Sequence, residues 1–249
     1  MTDINKGLRT NTTPNTNTEP YTSIDANADT NVNTQPKKTE IVFILDRSGS
    51  MAGLESDTIG GFNSMLEKQQ KEPGKALVST VLFSGETKVI HDRASIDKVQ
   101  PLTEEEYYVG GCTALLDAVG DAIHHIGNVH KYARKEDVPE KTLFIITTDG
   151  YENASHRYTY EKVKSMIERQ KERYGWEFMF LGANIDAAAE ARRFGISASM
   201  AADYCCDEEG TALNYEVMSE TISHLRAGAC IDPHWKAKID ADYKRRGRK

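Results

Sequence analysis

The sequence predicts an α/β fold: a doubly wound, mostly parallel sheet with one antiparallel edge strand and helices on both faces. Three observations carry that prediction. Continuous apolar runs of strand length, Ile-Val-Phe-Ile-Leu at 41–45 and Leu-Phe-Ile-Ile at 143–146, have the β-branched, unalternating character of strands buried on both faces. Such runs alternate with segments of helical periodicity, the order that produces a doubly wound sheet. Finally, Ser84-Gly85-Glu86 joins two strand-like runs by a turn too short for a crossover, so that pair is a hairpin and contributes the antiparallel strand.

The elements follow in order. Residues 1–37 are dominated by Asn and Thr and hold few large apolar side chains, so they predict a disordered leader that cannot offset its own chain entropy. The globular part, 38–228, opens with the strand at 41–45. Ile59, Phe62, Met65 and Leu66 then recur at helical spacing up to the polar stretch before Gly74. Residues 76–83 form the second strand and 87–91 its hairpin partner. The glycines of Tyr107-Tyr108-Val109-Gly110-Gly111-Cys112-Thr113 make a loop into a helix striped by Leu116, Val119, Ile123 and Ile126. Residues 141–148 form a buried strand ending in Asp149-Gly150. The next helix is capped by Thr159 and stopped by Gly175. A strand at 176–181, an Ala-rich helix at 186–193, a short strand within 198–204 and a helix carrying Leu213, Val217, Met218, Ile222 and Leu225 complete the domain. Residues 229–249 are left as a basic tail ending in Lys244-Arg245-Arg246-Gly247-Arg248-Lys249.

Composition excludes several classes. A net charge of −7 argues against nucleic-acid binding by the domain, which would need clustered Lys and Arg. The basic tail alone could touch nucleic acid or anionic lipid, or be a solvated end. No apolar stretch is long enough to span a membrane, and the N-terminus lacks a secretory signal pattern, which predicts a cytoplasmic address. Cys112, Cys205, Cys206 and Cys230 fit no zinc spacing and are expected as free thiols.

The chemistry concentrates at strand ends. Asp46, Ser48 and Ser50 follow the first strand at alternate positions, with Gly49 allowing the bend between them. Open α/β sheets bind ligands beyond the carboxyl ends of their strands, and a hard oxygen cluster there suits Mg²⁺ or Ca²⁺. Thr113 after the glycines and Asp149 after the 141–148 strand add two more oxygens. The pattern Asp-x-Ser-x-Ser, then Gly-Gly-x-Thr, then Thr-Thr-Asp-Gly resembles the metal-ion-dependent adhesion site of von Willebrand factor A-type domains. Leu45-Asp46-Arg47-Ser48-Gly49-Ser50-Met51 is close to the form of bacterial stand-alone members, and the resemblance runs from about Lys38 to Leu225.

That resemblance implies a Rossmann-like fold and a role for each motif residue. Ser48 and Ser50 would bind the ion directly, Asp46 would hold the serines or coordinated waters, Thr113 would ligate in an open state, and Asp149 would reach the ion through water. The ion would be Mg²⁺, with Mn²⁺ or Ca²⁺ as the other candidates. Mostly neutral direct ligands leave it electrophilic, free to take an Asp or Glu carboxylate from a partner protein. The implied function is a non-enzymatic, metal-dependent interaction module, a scaffolding or regulatory subunit, or a component of an ATPase-driven complex whose motor lies on another chain. The alternative is a haloacid dehalogenase-like Mg²⁺-dependent phosphatase with Asp46 as nucleophile. That chemistry wants a second Asp two residues on, and Ser48 stands there.

Neighbouring residues have bland roles beside sharp ones. His124, His125 and His130 share no i, i+4 face and are expected at the surface. Tyr107, Tyr108 and Tyr151 either rim the site or pack beneath it. Arg47 and Glu152 are expected to tune partner choice electrostatically, and Cys112 to pack, since a thiol is a poor Mg²⁺ ligand. Gly60-Gly61 and Gly110-Gly111 match no nucleotide-binding pattern.

Overall fold

The computed structural model describes residues 38–246; the leader expected over 1–37 lies outside them. A six-stranded sheet runs in the order β3-β2-β1-β4-β5-β6. Strands β1 (Thr39–Asp46), β2 (Ala76–Phe83), β4 (Lys141–Thr148), β5 (Glu177–Ala183) and β6 (Ala201–Tyr204) are parallel. Strand β3 (Thr87–Ser95) pairs antiparallel with β2 at one edge. It runs four residues past the expected His91, because a register shift around Ser79 lets the polar segment 92–95 keep pairing.

Side chains alternate across β1. Ile41, Phe43 and Leu45 join one core with Phe62, Met65, Tyr215, Met218 and Ile222. Val42 and Ile44 join the other with Leu115, Val119, Ile123, Val163 and Ile167. Helices α1 (Glu55–Lys71) and α5 (Glu208–Arg226) cover the first face; α2 (Leu115–Tyr132), α3 (Tyr160–Tyr174) and α4 (Ala187–Arg193) cover the second. Both faces are thus buried, which is why β1 and β4 read as unbroken apolar runs.

Local signals set the helix ends. Thr159 Oγ1 accepts from Lys162 N–H at the start of α3, and Gly175 takes the left-handed conformation (φ 64°) at its end. Asp186 and Asp207 cap α4 and α5 in the same way. The Gly60-Gly61 pair has a packing role: a Cβ on Gly61 would lie 2.3 Å from the Tyr215 ring, so glycine there sets how closely α1 meets α5.

Beyond residue 228, where the sequence predicts a basic tail, the described chain forms a further helix, α6 (Ala237–Arg246). Trp235 and Ile239 are buried in the α1/α5 core. Trp235 Nε1–H donates to Ser199 O (2.9 Å), and Lys236 Nζ donates to Ala201 O (2.6 Å) beside the β6 edge. Arg245 and Arg246 are engaged with Asp242, Glu209 and Asp207. No helix among the described residues is long and apolar enough to cross a membrane, and all four cysteines are free.

Candidate metal centre

The strand order reverses at β1, since the chain leaves β1 for β2 on one side and later enters β4 on the other. The crevice above the ends of β1 and β4 is therefore the topological switch point, where open α/β sheets bind ligands. Asp46 is the last residue of β1, and Asp149 follows the last residue of β4. Loops from three elements converge there.

Asp46 organises the floor. Its Oδ1 accepts Ser48 N–H (2.7 Å) and its Oδ2 accepts the Thr148 hydroxyl (2.7 Å). Ser48 Oγ and Ser50 Oγ lie 3.1 Å apart, and Ser50 Oγ donates to Asp149 Oδ1 (2.6 Å). Asp46, Ser48, Ser50 and Asp149 thus form one continuous oxygen row. Thr113 closes it from the α2 side: the position a Cβ would take on Gly150 lies 3.7 Å from both Ser50 Oγ and Thr113 Oγ1. All five sequence-predicted residues come together.

The glycine loop is fastened to the serine loop through backbone. Gly49 N–H donates to Gly111 O (3.0 Å), and Gly110 N–H donates to Arg47 O (2.9 Å). Gly111 has φ 81°, a conformation that side chains other than glycine rarely adopt. Asn153 holds Thr113 from both ends, its Oδ1 accepting Thr113 N–H (2.9 Å) and its N–H donating to Thr113 O (3.0 Å).

Of the neighbouring residues, Glu152, Arg47 and His130 differ from their sequence expectations, while the tyrosines, His124 and His125 sit as expected. Glu152 is bound internally: Oε2 accepts Leu116 N–H (2.8 Å) at the α2 N-terminus, and Oε1 accepts Ala154 and Ser155 N–H (2.8 and 2.7 Å). Its charge is committed to fixing the loop, where the α2 macrodipole favours it. Arg47 is buried, with its guanidinium 4.3 Å from the Tyr108 ring centroid. Tyr107 packs beneath the site and donates to Asp46 O (2.6 Å), while Tyr108 and Tyr151 are half exposed at its rim. His124 and His125 lie at the surface as expected. His130 does not: its Nε2 is 2.5 Å from the buried Glu40 carboxylate.

Thr148, Asn153 and Asp117 carry site architecture that the sequence analysis does not assign. Asp117 accepts three backbone N–H groups, from His156, Arg157 and Tyr158, and so docks the 150–158 loop onto α2. Burial pushes its pKa up, but those three bonds outweigh it and the net direction is down.

The electrostatics favour a cation. Burial raises the pKa of Asp46 and the Asp149 charge adds to it, against hydrogen bonds from Thr148 and Ser48. Burial likewise raises Asp149, against its bond from Ser50. Among the described residues no Lys, Arg or His forms a salt bridge with either carboxylate, and Asp149 Oδ2 is buried without a hydrogen-bond partner. Hydroxyls plus carboxylates, with no nitrogen or sulfur donor in the row, form a set suited to a hard divalent ion. The residues present fit such a metal.

No family model matches the chain, and no curated protein matches it by sequence. Its fold is similar to several solved structures. The pilus adhesin SpaC of Lactobacillus rhamnosus GG, in an open conformation, aligns with TM-score 0.58 at 12% identity over 76% of this chain and 30% of its own. Proximal thread matrix protein 1 of the mussel byssus, with a zinc-occupied metal-ion-dependent adhesion site, gives 0.51 at 17% over 76% and 46%. Manganese-loaded TRAP protein of Plasmodium vivax gives 0.51 at 17% over 72% of each chain. The chain thus spans about half the length of the mussel protein. Together with a von Willebrand factor type A protein of Catenulispora acidiphila (TM-score 0.50), these neighbours identify the architecture as the von Willebrand factor A-type fold.

Proposed function

We propose that this chain is a divalent-cation-dependent protein-binding module whose ion is held by Asp46, Ser48, Ser50, Thr113 and Asp149. The observation that carries this is the continuous oxygen row ending in the unpartnered buried Asp149 Oδ2, with no salt-bridged cation opposite among the described residues. The zinc- and manganese-bound neighbours of the same fold support a divalent ion in general. Mg²⁺ is our assignment for this chain, on the strength of the all-oxygen donor set. Ser48, Ser50 and Thr113 would supply neutral direct ligands, while Asp46 and Asp149 orient them. When bound, the ion supplies an electrophilic point for an Asp or Glu carboxylate of a partner. We assign the chain a non-enzymatic scaffolding or regulatory role at a cytoplasmic address, compatible with service in an ATPase-driven complex. We also retain its kinship with the bacterial stand-alone type.

The phosphatase alternative finds no support. That chemistry wants a second aspartate two residues beyond the nucleophile, and Ser48 stands there, its N–H donated to Asp46 Oδ1. The test is affinity capture from the native host in Mg²⁺ and again in EDTA, using wild type and Ser48→Ala/Ser50→Ala. Partners that depend on both metal and serines are expected. Identical recovery in all four arms would overturn the proposal.

A further inference from the structure

Helix α3 is thinly anchored, with only Val163 and Ile167 of its fifteen residues buried. Between it and α2 lies an open groove of about 970 Å³, floored by Ile123, Met166 and Trp176. Gly127 lines it on the α2 side, where a Cβ would sit 3.2 Å from Gln170 Nε2 and 4.0 Å from Trp176. The α3 side runs from Lys162 to Tyr174, on the order of 18 Å at helical rise, which suits an extended occupant better than a compact one.

The groove lining is cationic. The chain is acidic overall, at −7, yet this lining has one carboxylate, Asp121, and it is already paired with Arg157 (2.6 Å). Lys131, Lys162 and Arg169 line the same groove, and among the described residues no carboxylate pairs with any of them. All three are exposed. An apolar floor flanked by cations that lack carboxylate partners complements an amphipathic helix with acidic flanks, the helix-in-groove mode.

We propose that the α2–α3 groove is a second docking surface, for an acidic amphipathic helix of a partner protein, and that it works without the metal. The probe is a labelled synthetic peptide of about 14 residues, with Leu and Phe on one helical face and Glu beside it, read by fluorescence anisotropy and amide chemical shifts on the full chain. Its control carries Lys in place of Glu. Saturable binding of the Glu peptide is expected, with shifts along α2 and α3. It should weaken about tenfold or more in Lys162→Glu/Arg169→Glu, and also as salt rises from about 50 to about 300 mM. EDTA and Ser48→Ala/Ser50→Ala should leave it unchanged, which separates this surface from the metal centre. The proposal is overturned by any of three results: no saturation, equal binding of the Lys peptide, or unchanged affinity in Lys162→Glu/Arg169→Glu.

Discussion

Strand β1 carries a buried carboxylate near each end, and the protein treats the two in opposite ways. Glu40, at the amino end, is fully buried and is met by Arg93 Nε at 2.5 Å and His130 Nε2 at 2.5 Å. The chain strains to provide this. Arg93 sits at φ 47°, its N–H held by Ser79 Oγ (3.0 Å), where β2 and β3 shift register. Asp46, six residues on, is just as buried, yet it is met only by an N–H and a hydroxyl, with a second carboxylate nearby. A carboxylate with its own counter-charge is structural. One left without it, at a strand end where open α/β sheets bind ligands, is the group that our proposed function assigns to a cation from solution.

The comparison can be broken at either end. The largest effect should come from Arg93→Ala, which strips Glu40 of its main counter-ion and should cost about 3 kcal/mol or more in urea unfolding. A cost under about 1 kcal/mol would mean that Glu40 does not depend on the Arg93 contact. At the other end, Ser48→Ala/Ser50→Ala should change metal-free stability by about 1 kcal/mol or less. It should also remove the stabilisation a bound ion adds, about 2.7 kcal/mol when free metal is a hundredfold above Kd. Thermal melts with and without Mg²⁺ read both quantities. Thr148→Val keeps the shape of the residue but takes the hydroxyl from Asp46 Oδ2, leaving a buried oxygen short of a donor. That should cost about 1–3 kcal/mol and weaken metal binding as well.

A smaller, pH-dependent effect separates α6 from both ends of β1. Bonds from Arg246 and Arg245 lower the Asp242 pKa to about 2. A carboxylate depressed in the folded state stabilises fully above its unfolded pKa of about 3.9, and that contribution fades as pH falls toward 2. Amide protection factors in α6, corrected for the intrinsic exchange rate, should therefore fall below about pH 4, and Asp242→Asn should flatten the dependence. No such change would mean that Trp235 and Ile239 alone hold the helix.

Most of the fold was legible because it rests on periodicity. Buried on both faces, β1 and β4 could be read directly, and Thr159 and Gly175 bracket α3 through capping chemistry that is local in sequence. Helix α6 escaped because its burial rests on Trp235 and Ile239 within a run of charged residues, too sparse an apolar signal to register. The site was half legible. Its five oxygen residues announce themselves by motif and spacing, but the side chains that hold them do not. Thr148, Asn153, Glu152 and Asp117 act by bonding to backbone or to Asp46 across 36 to 102 residues of sequence. Such bonds leave no period. Glu152 misled for the same reason: its charge looked available until its oxygens were seen to be spent on Leu116, Ala154 and Ser155. His130 likewise drew its meaning from Glu40, ninety residues away.

Under the proposed function, the oxygen row binds one divalent ion whose charge balance the chain does not supply itself. Titration calorimetry with MgCl₂ and MnCl₂ on metal-stripped wild type and on Asp149→Ala tests it most directly. The expected result is one ion per chain in wild type, with binding lost in Asp149→Ala while the variant keeps its circular dichroism spectrum. Equal stoichiometry and affinity in both proteins, or no binding to wild type at millimolar metal, would contradict it.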